Sequence, residues 1–239
     1  MSSEVPVPSS RHLVARIFLL ALLFATSQAG AAATLPDEIR LPITEHTLTN
    51  GMRILVVERR EPPTFSAYLR FKVGSANEVS GQTGLAHLLE HMMFKGTTLF
   101  GTTDPERERP ILEKIDAKHL ALHAERARSR GAGGVADTSV VAKLEQEIAD
   151  LEAQAKGFVV RNELWEVYRR NGGVRLNAST SREGTQYFVS LPKNRLELWA
   201  LLESDRIRNP VFREFYTERE VVKEERRQRV DVSPRGQLL

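Results

Sequence analysis

The chain has 239 residues, no cysteine, and a formal net charge of +3 with 27% charged residues. Without cysteine there is no disulfide framework, thiol nucleophile or thiolate metal site. The basic excess is too small, and too free of basic patches interleaved with aromatics, to indicate a nucleic-acid partner.

Residues 1–33 read as a secretory signal peptide. Arg11 and Arg16 form the positive region, Ile17 to Ala25 the apolar run, and Ser27-Gln28-Ala29 and Ala31-Ala32-Ala33 the small-residue cleavage candidates. The apolar run is well short of the roughly 20 residues that span a bilayer. Export to the periplasm or medium is therefore expected, with a retained N-terminal anchor as the alternative. Residues 34–239 are long enough to bury a sizeable core.

Ile43 to Leu48, Asn50-Gly51 and Met52 to Val57 predict a β-hairpin, because Asn-Gly suits turns in which both residues take positive φ. Pro62-Pro63 breaks the chain, and Phe65 to Val73 is a third strand. Gly74 to Gly84 is a polar loop leading into a helix that stops near Lys95-Gly96. Residues 104–160 predict an inserted antiparallel helical hairpin. Asp104-Pro105-Glu106 starts it, Gly131 to Gly134 breaks it, and Leu144, Ile148, Leu151 and Ala155 form a seam on the return arm. His119 and His123 on its first arm are read as a solvated pair. Val174 to Thr180 and Thr185 to Leu191 predict a second hairpin around Ser181 to Gly184. Asn194 to Ile207 is an amphipathic helix that mixes core and surface, and a last helix spans about Phe215 to Val230. Trp165 and Trp199 are expected in the core. The whole suggests an α+β fold with a mixed sheet packed by helices.

The chemistry lies in His87-Leu88-Leu89-Glu90-His91. Residues four apart on a helix stand one above the other, so both imidazoles can face one ion. Two histidines and an oxygen ligand leave a position on zinc open for water, whose pKa the metal lowers to roughly 7. Glu90, not itself a ligand, is placed to accept the proton. This order is the inverzincin pattern. On spacing alone, an amphipathic helix with partly buried histidines remains the alternative. Glu218, Glu220, Glu224 and Glu225 are candidates for the oxygen ligand, although such a run also describes a solvated helix.

The full run from Gly84 to Thr97 (GLAHLLEHMMFKGT) resembles the signature of the pitrilysin/insulinase family of zinc metallopeptidases. The resemblance extends over roughly residues 40–239 and includes Asn209-Pro210 and the Glu-Arg-Glu-Val-Val pattern. It implies the front portion of a processing-peptidase-like catalytic domain and a zinc endopeptidase that cleaves extended peptides or unfolded polypeptides. It implies that Glu225 completes a zinc site with His87 and His91, and that Glu218 supports it. Glu90 and Glu218 are thus the catalytic carboxylates. Asn177-Ala178 corresponds to the family's substrate-binding strand edge. Glu225 lies 135 residues after Glu90, far more than is usual in the family, and the hairpin insertion accounts for the excess. Family domains continue beyond a point like Leu239 and face a second related domain that contributes an Arg and a Tyr. The chain is therefore expected to be a fragment or a truncated frame, with a second domain or partner subunit needed for activity. The alternative is a non-catalytic peptide-binding or assembly subunit, which usually loses motif residues that are all kept here.

Overall fold

The computed structural model describes residues 41–128 and 135–232. The expected signal segment and the glycine break at Gly131 to Gly134 lie outside the described residues. No helix among the described residues is long and apolar enough to cross a membrane. The chain divides into two compact units at Arg59/Arg60.

In the first unit, β1 (Ile43–Thr47) pairs antiparallel with β2 (Arg53–Val57). The turn differs from the expected two-residue form. Leu48 N–H donates to Met52 O at 2.8 Å and Gly51 N–H to Leu48 O at 2.9 Å. Gly51 has φ +84, while Asn50 is not among the positive-φ residues. This is the three-residue connection in which a turn is followed by a left-handed glycine. Asn50 serves instead through its side chain, whose Oδ1 accepts from Met52 N–H at 3.0 Å.

The second unit is built on β3 (Thr64–Phe71), β4 (Val174–Thr180) and β5 (Thr185–Pro192), in the order β3-β5-β4. The α+β class holds, and the sheet expected to be mixed is antiparallel at every pairing among the described residues. Central β5 alternates strictly, with Thr185, Tyr187, Val189 and Leu191 buried. That period of two gives the sheet one covered face. Leu164 and Tyr168 of α4 (Glu163–Arg170) and Leu202 of α5 (Leu196–Arg208) pack with Val189, Leu191, Leu176 and Phe100. Each such side chain contributes about 1.5–3 kcal/mol on leaving water. Trp199 joins this core, but Trp165 is 40% exposed and stacks on Phe94 at its edge.

The motif helix is α1 (Leu85–Met92). Between it and α4 stands the expected hairpin of α2 (Pro105–Arg128) and α3 (Thr138–Lys156). Asp104 caps α2 by accepting from Arg107 N–H, and Asp137 caps α3. Ile148 and Ala155 of the seam are buried with Ile115 and Leu122. A bridge between Thr102 and Val159, with Thr103 N–H donating to Phe158 O, closes its base. The last helix, α6 (Phe215–Arg226), is regular only to Arg226 and widens into a π-helical turn over Arg227–Asp231.

Buried charge is a feature that apolar patterning did not expose. Arg213 and Glu108 are each 1% exposed and meet through Nε at 2.8 and 2.9 Å. Arg213 also donates to Lys95 O and Thr97 O, tying the end of α1 to the start of α6. Gly96, at φ +103, permits this. A Cβ there would collide with the Phe100 carbonyl and crowd Arg213 at 3.0 Å. In α5, Glu203 and Arg206 pair in the core, and Tyr168 donates to Glu203 at 2.7 Å.

Candidate metal and catalytic site

Helix α1 begins after Gly84, whose φ of +98 suits glycine. Glu78 satisfies two N–H groups at the helix start, accepting from Gly84 and Ala86, each at 2.8 Å. A carboxylate there also suits the helix dipole. One face of α1 buries Leu88 and Met92 against Val222 and Phe215 of α6. Residues one position earlier, His87 and His91, line the cleft that residues of β4 and Glu225 also line. Their rings meet edge to face with centroids 4.8 Å apart.

Opposite them stands Glu225. Its carboxylate oxygens are 3.7 Å from His87 Nε2 and 3.9 Å from His91 Nε2. One ligand atom from each residue fits within a 4.8 Å cluster. Those separations are close to the roughly 3.4 Å edge of a tetrahedron with about 2.1 Å bonds. Behind His91, Glu218 Oε2 accepts from Nδ1 at 3.1 Å. An acceptor-only carboxylate selects the Nδ1–H tautomer and leaves the Nε2 lone pair facing Glu225. The donor set therefore fits zinc, with two neutral imidazoles and a carboxylate already aimed at one point.

Burial, then the neighbouring His91, lowers the His87 pKa, which favours the neutral form needed in a ligand. Burial acts to raise Glu218, but bonds from Lys95 and His91 outweigh it and hold the carboxyl below its usual range. Lys95 shows the mirror balance. Burial pulls it down, and the bonds to Glu214 and Glu218 carry it above the usual ammonium value.

A cleft of about 640 Å³ contains His87, Glu90, His91, Asn177, Ala178, Thr180 and Glu225. Six of the seven site residues expected from sequence thus share one cavity. Glu218 does not line it and meets His91 at Nδ1. Asn177 and Ala178 pair with Phe188 and Tyr187 of β5 just past a bulge in β4, where Arg175 takes φ +58. Among the described residues no strand pairs with the far edge of β4. Asn177 Oδ1 accepts from Ala178 N–H at 2.9 Å.

Several contacts were missed in the sequence. Thr180 Oγ1 donates to Glu90 Oε2 at 2.5 Å and so orients the carboxylate from the end of β4. Its two-residue offset from Ala178 puts it on the same face of the strand, a signal that was present. Arg229 bonds Glu225 at 3.1 Å, and Lys95 reaches Glu214 and Glu218. The solvated pair expected at His119 and His123 is corrected at His119. That ring stacks on Tyr216 at 3.3 Å, lies 3.5 Å from Glu152, and burial lowers its pKa. Tyr216 also donates to Asp116, so the hairpin packs directly on α6.

The fold, the HxxEH helix and the facing carboxylate define a metallopeptidase-type arrangement. The family model described as Insulinase (Peptidase family M16) matches residues 53–121 and 158–238, more than half of the chain. The chain belongs to this insulinase family, peptidase family M16. It is 29% identical over 195 residues to the zinc protease PqqE of Helicobacter pylori, which covers 80% of this chain and 30% of that protein. It is 32% identical over 127 residues to the beta subunit of the mitochondrial-processing peptidase of Caenorhabditis elegans, covering 53% of this chain and 26% of the relative. Among solved structures, a protease from Helicobacter pylori superposes with a TM-score of 0.53 at 27% identity, over 83% of this chain and 34% of that one. The chain spans about a third of the length of these relatives.

Proposed function

We propose that this chain carries the metal-binding front portion of an exported zinc endopeptidase acting on extended peptides or unfolded polypeptides. The observation that carries the reading is the convergence of His87 Nε2, His91 Nε2 and the Glu225 carboxylate in the cleft that also holds Glu90. His87, His91 and Glu225 would hold zinc. When bound, zinc supplies Lewis-acid polarisation of a peptide carbonyl and acidification of water. Glu90 accepts the proton of the attacking water and returns it to the leaving amine. Thr180 keeps that carboxylate turned into the cleft. Glu218 holds His91 in the ligating tautomer.

The free edge of β4 suits an extended peptide, which pairs through main-chain hydrogen bonds with little demand on sequence. Asn177 and Ala178 lie where such a peptide would cross the cleft. A second domain or subunit opposite this face would enclose the substrate, as expected from the family. The hairpin insertion is a decoration without chemistry of its own. The gap between residues 121 and 158 in the family match takes in the end of α2 and the whole of α3, while most of α2 lies within the match.

Glu90→Gln tests the reading in the full-length protein with its natural continuation or partner. The variant should keep stoichiometric zinc and lose at least about 10²- to 10⁴-fold in peptide hydrolysis. His87→Ala and Glu225→Ala should lose the metal instead. Undiminished turnover by Glu90→Gln on a peptide library would refute the assignment.

A further inference from the structure

Lys95 contacts Glu218 directly, although the two lie on different segments of the site. It stands just past the end of α1, three residues beyond Met92. Its ammonium lies 2.7 Å from Glu218 Oε1 and 2.9 Å from Glu214 Oε2. The remaining oxygen of Glu218, Oε2, is the atom that accepts from His91 Nδ1. The two carboxylates are four residues apart at the start of α6, one turn of helix. Without a shared cation they would repel. Lys95 and Glu218 are mostly buried, at 20% and 17% side-chain exposure, so water screens this cluster poorly.

From this geometry we propose that Lys95 is a positioning residue for the metal site, acting through Glu218 on His91. The proposal rests on the zinc reading above. One Glu218 oxygen is anchored by the ammonium, which leaves the other at a fixed height beside Nδ1. The same ammonium cancels the charge of Glu214, which would otherwise push Glu218 away. Lys95 thereby turns a flexible carboxylate into a rigid acceptor. His91 then keeps both its tautomer and its ring direction, with Nε2 toward Glu225.

The backbone around Lys95 is held independently of its side chain. Its carbonyl accepts from Arg213, and Gly96 forms the adjoining turn. Changing the side chain therefore alters the ammonium without removing the structure that carries it.

The experiment measures zinc affinity of the full-length protein by competition with a chromophoric chelator. Lys95→Met should weaken zinc about 10- to 100-fold, the usual cost of losing support behind a metal-bound histidine. Lys95→Gln, measured beside it in case the Met variant does not fold, should show the same loss because its amide carries no charge. Lys95→Arg should recover most of the affinity, since a guanidinium can bond two carboxylates at once. With cobalt(II) substituted, the Met and Gln variants should shift the visible absorption bands and the Arg variant should not. A purely structural Lys95 would lower unfolding stability and leave both the affinity and the cobalt spectrum unchanged, and that result overturns the proposal. Failure of the unaltered protein to bind zinc overturns the zinc reading, and this proposal with it.

Discussion

Replacing Glu108 with alanine tests the buried charge that joins the hairpin, α1 and α6. Arg213 and Glu108 are both 1% exposed, and two bonds at 2.8 and 2.9 Å connect them. Glu108→Ala leaves a guanidinium in the core with only the carbonyls of Lys95 and Thr97 as partners. Breaking a buried pair by removing one partner costs about 3–5 kcal/mol, chiefly from the uncompensated charge. At about 2–4 °C per kcal/mol for a domain of this size, the midpoint of thermal unfolding should fall by about 6–20 °C. Differential scanning calorimetry and urea unfolding of the full-length protein measure this. The double variant Glu108→Leu, Arg213→Met should lose much less, because no charge is left stranded. A loss below about 1 kcal/mol in Glu108→Ala, or a double variant no better than the single, would refute the reasoning.

Other consequences follow from the same geometry. Burial first, then the charge and hydrogen bond of Asp116, push the Tyr216 hydroxyl up to about 12 from 10.0. The folded state thus favours the neutral phenol, a contribution present below pH 10 and lost as the pH rises through about 12. Tyr216→Phe should flatten the unfolding free energy across that window, and an unchanged slope in alkaline urea titrations would contradict the assignment. Replacing the hairpin tip, residues 124–147, with a short turn keeps His119, Glu152 and the closed base, and should leave zinc stoichiometric by elemental analysis. Loss of metal from a folded tip-deleted variant would show that the tip supports the site. Export predicts a mature N-terminus between about Gly30 and Thr34. Mass spectrometry of protein from the native envelope checks it, and a chain beginning near Met1 in the membrane fraction would favour the anchor.

The sequence by itself determined whatever depends on near neighbours. Four-residue spacing put His87 and His91 on one face of α1, and two short runs around the Ser181 to Gly184 turn identified β4 and β5. Asp104 sat where a cap belongs, and Leu144, Ile148, Leu151 and Ala155 announced the hairpin seam. Glu225 and Glu218 were legible only because the motif's flanks resembled a known family, since a run of glutamates on its own reads as a solvated face. The Asn50-Gly51 turn went astray because the dipeptide serves more than one hairpin geometry, and the strand register decides between them. Only the tertiary structure decided the partners. Thr180 reaches Glu90 across 90 residues, Arg213 reaches Glu108 across 105, and Lys95 reaches Glu214 across 119. Exposed and buried charges look alike in a sequence, because burial depends on which surfaces the fold brings together. His119 shows the reason most plainly. The polar arm around it suggested solvent, and the aromatic ring of Tyr216, 97 positions further along, covers it instead.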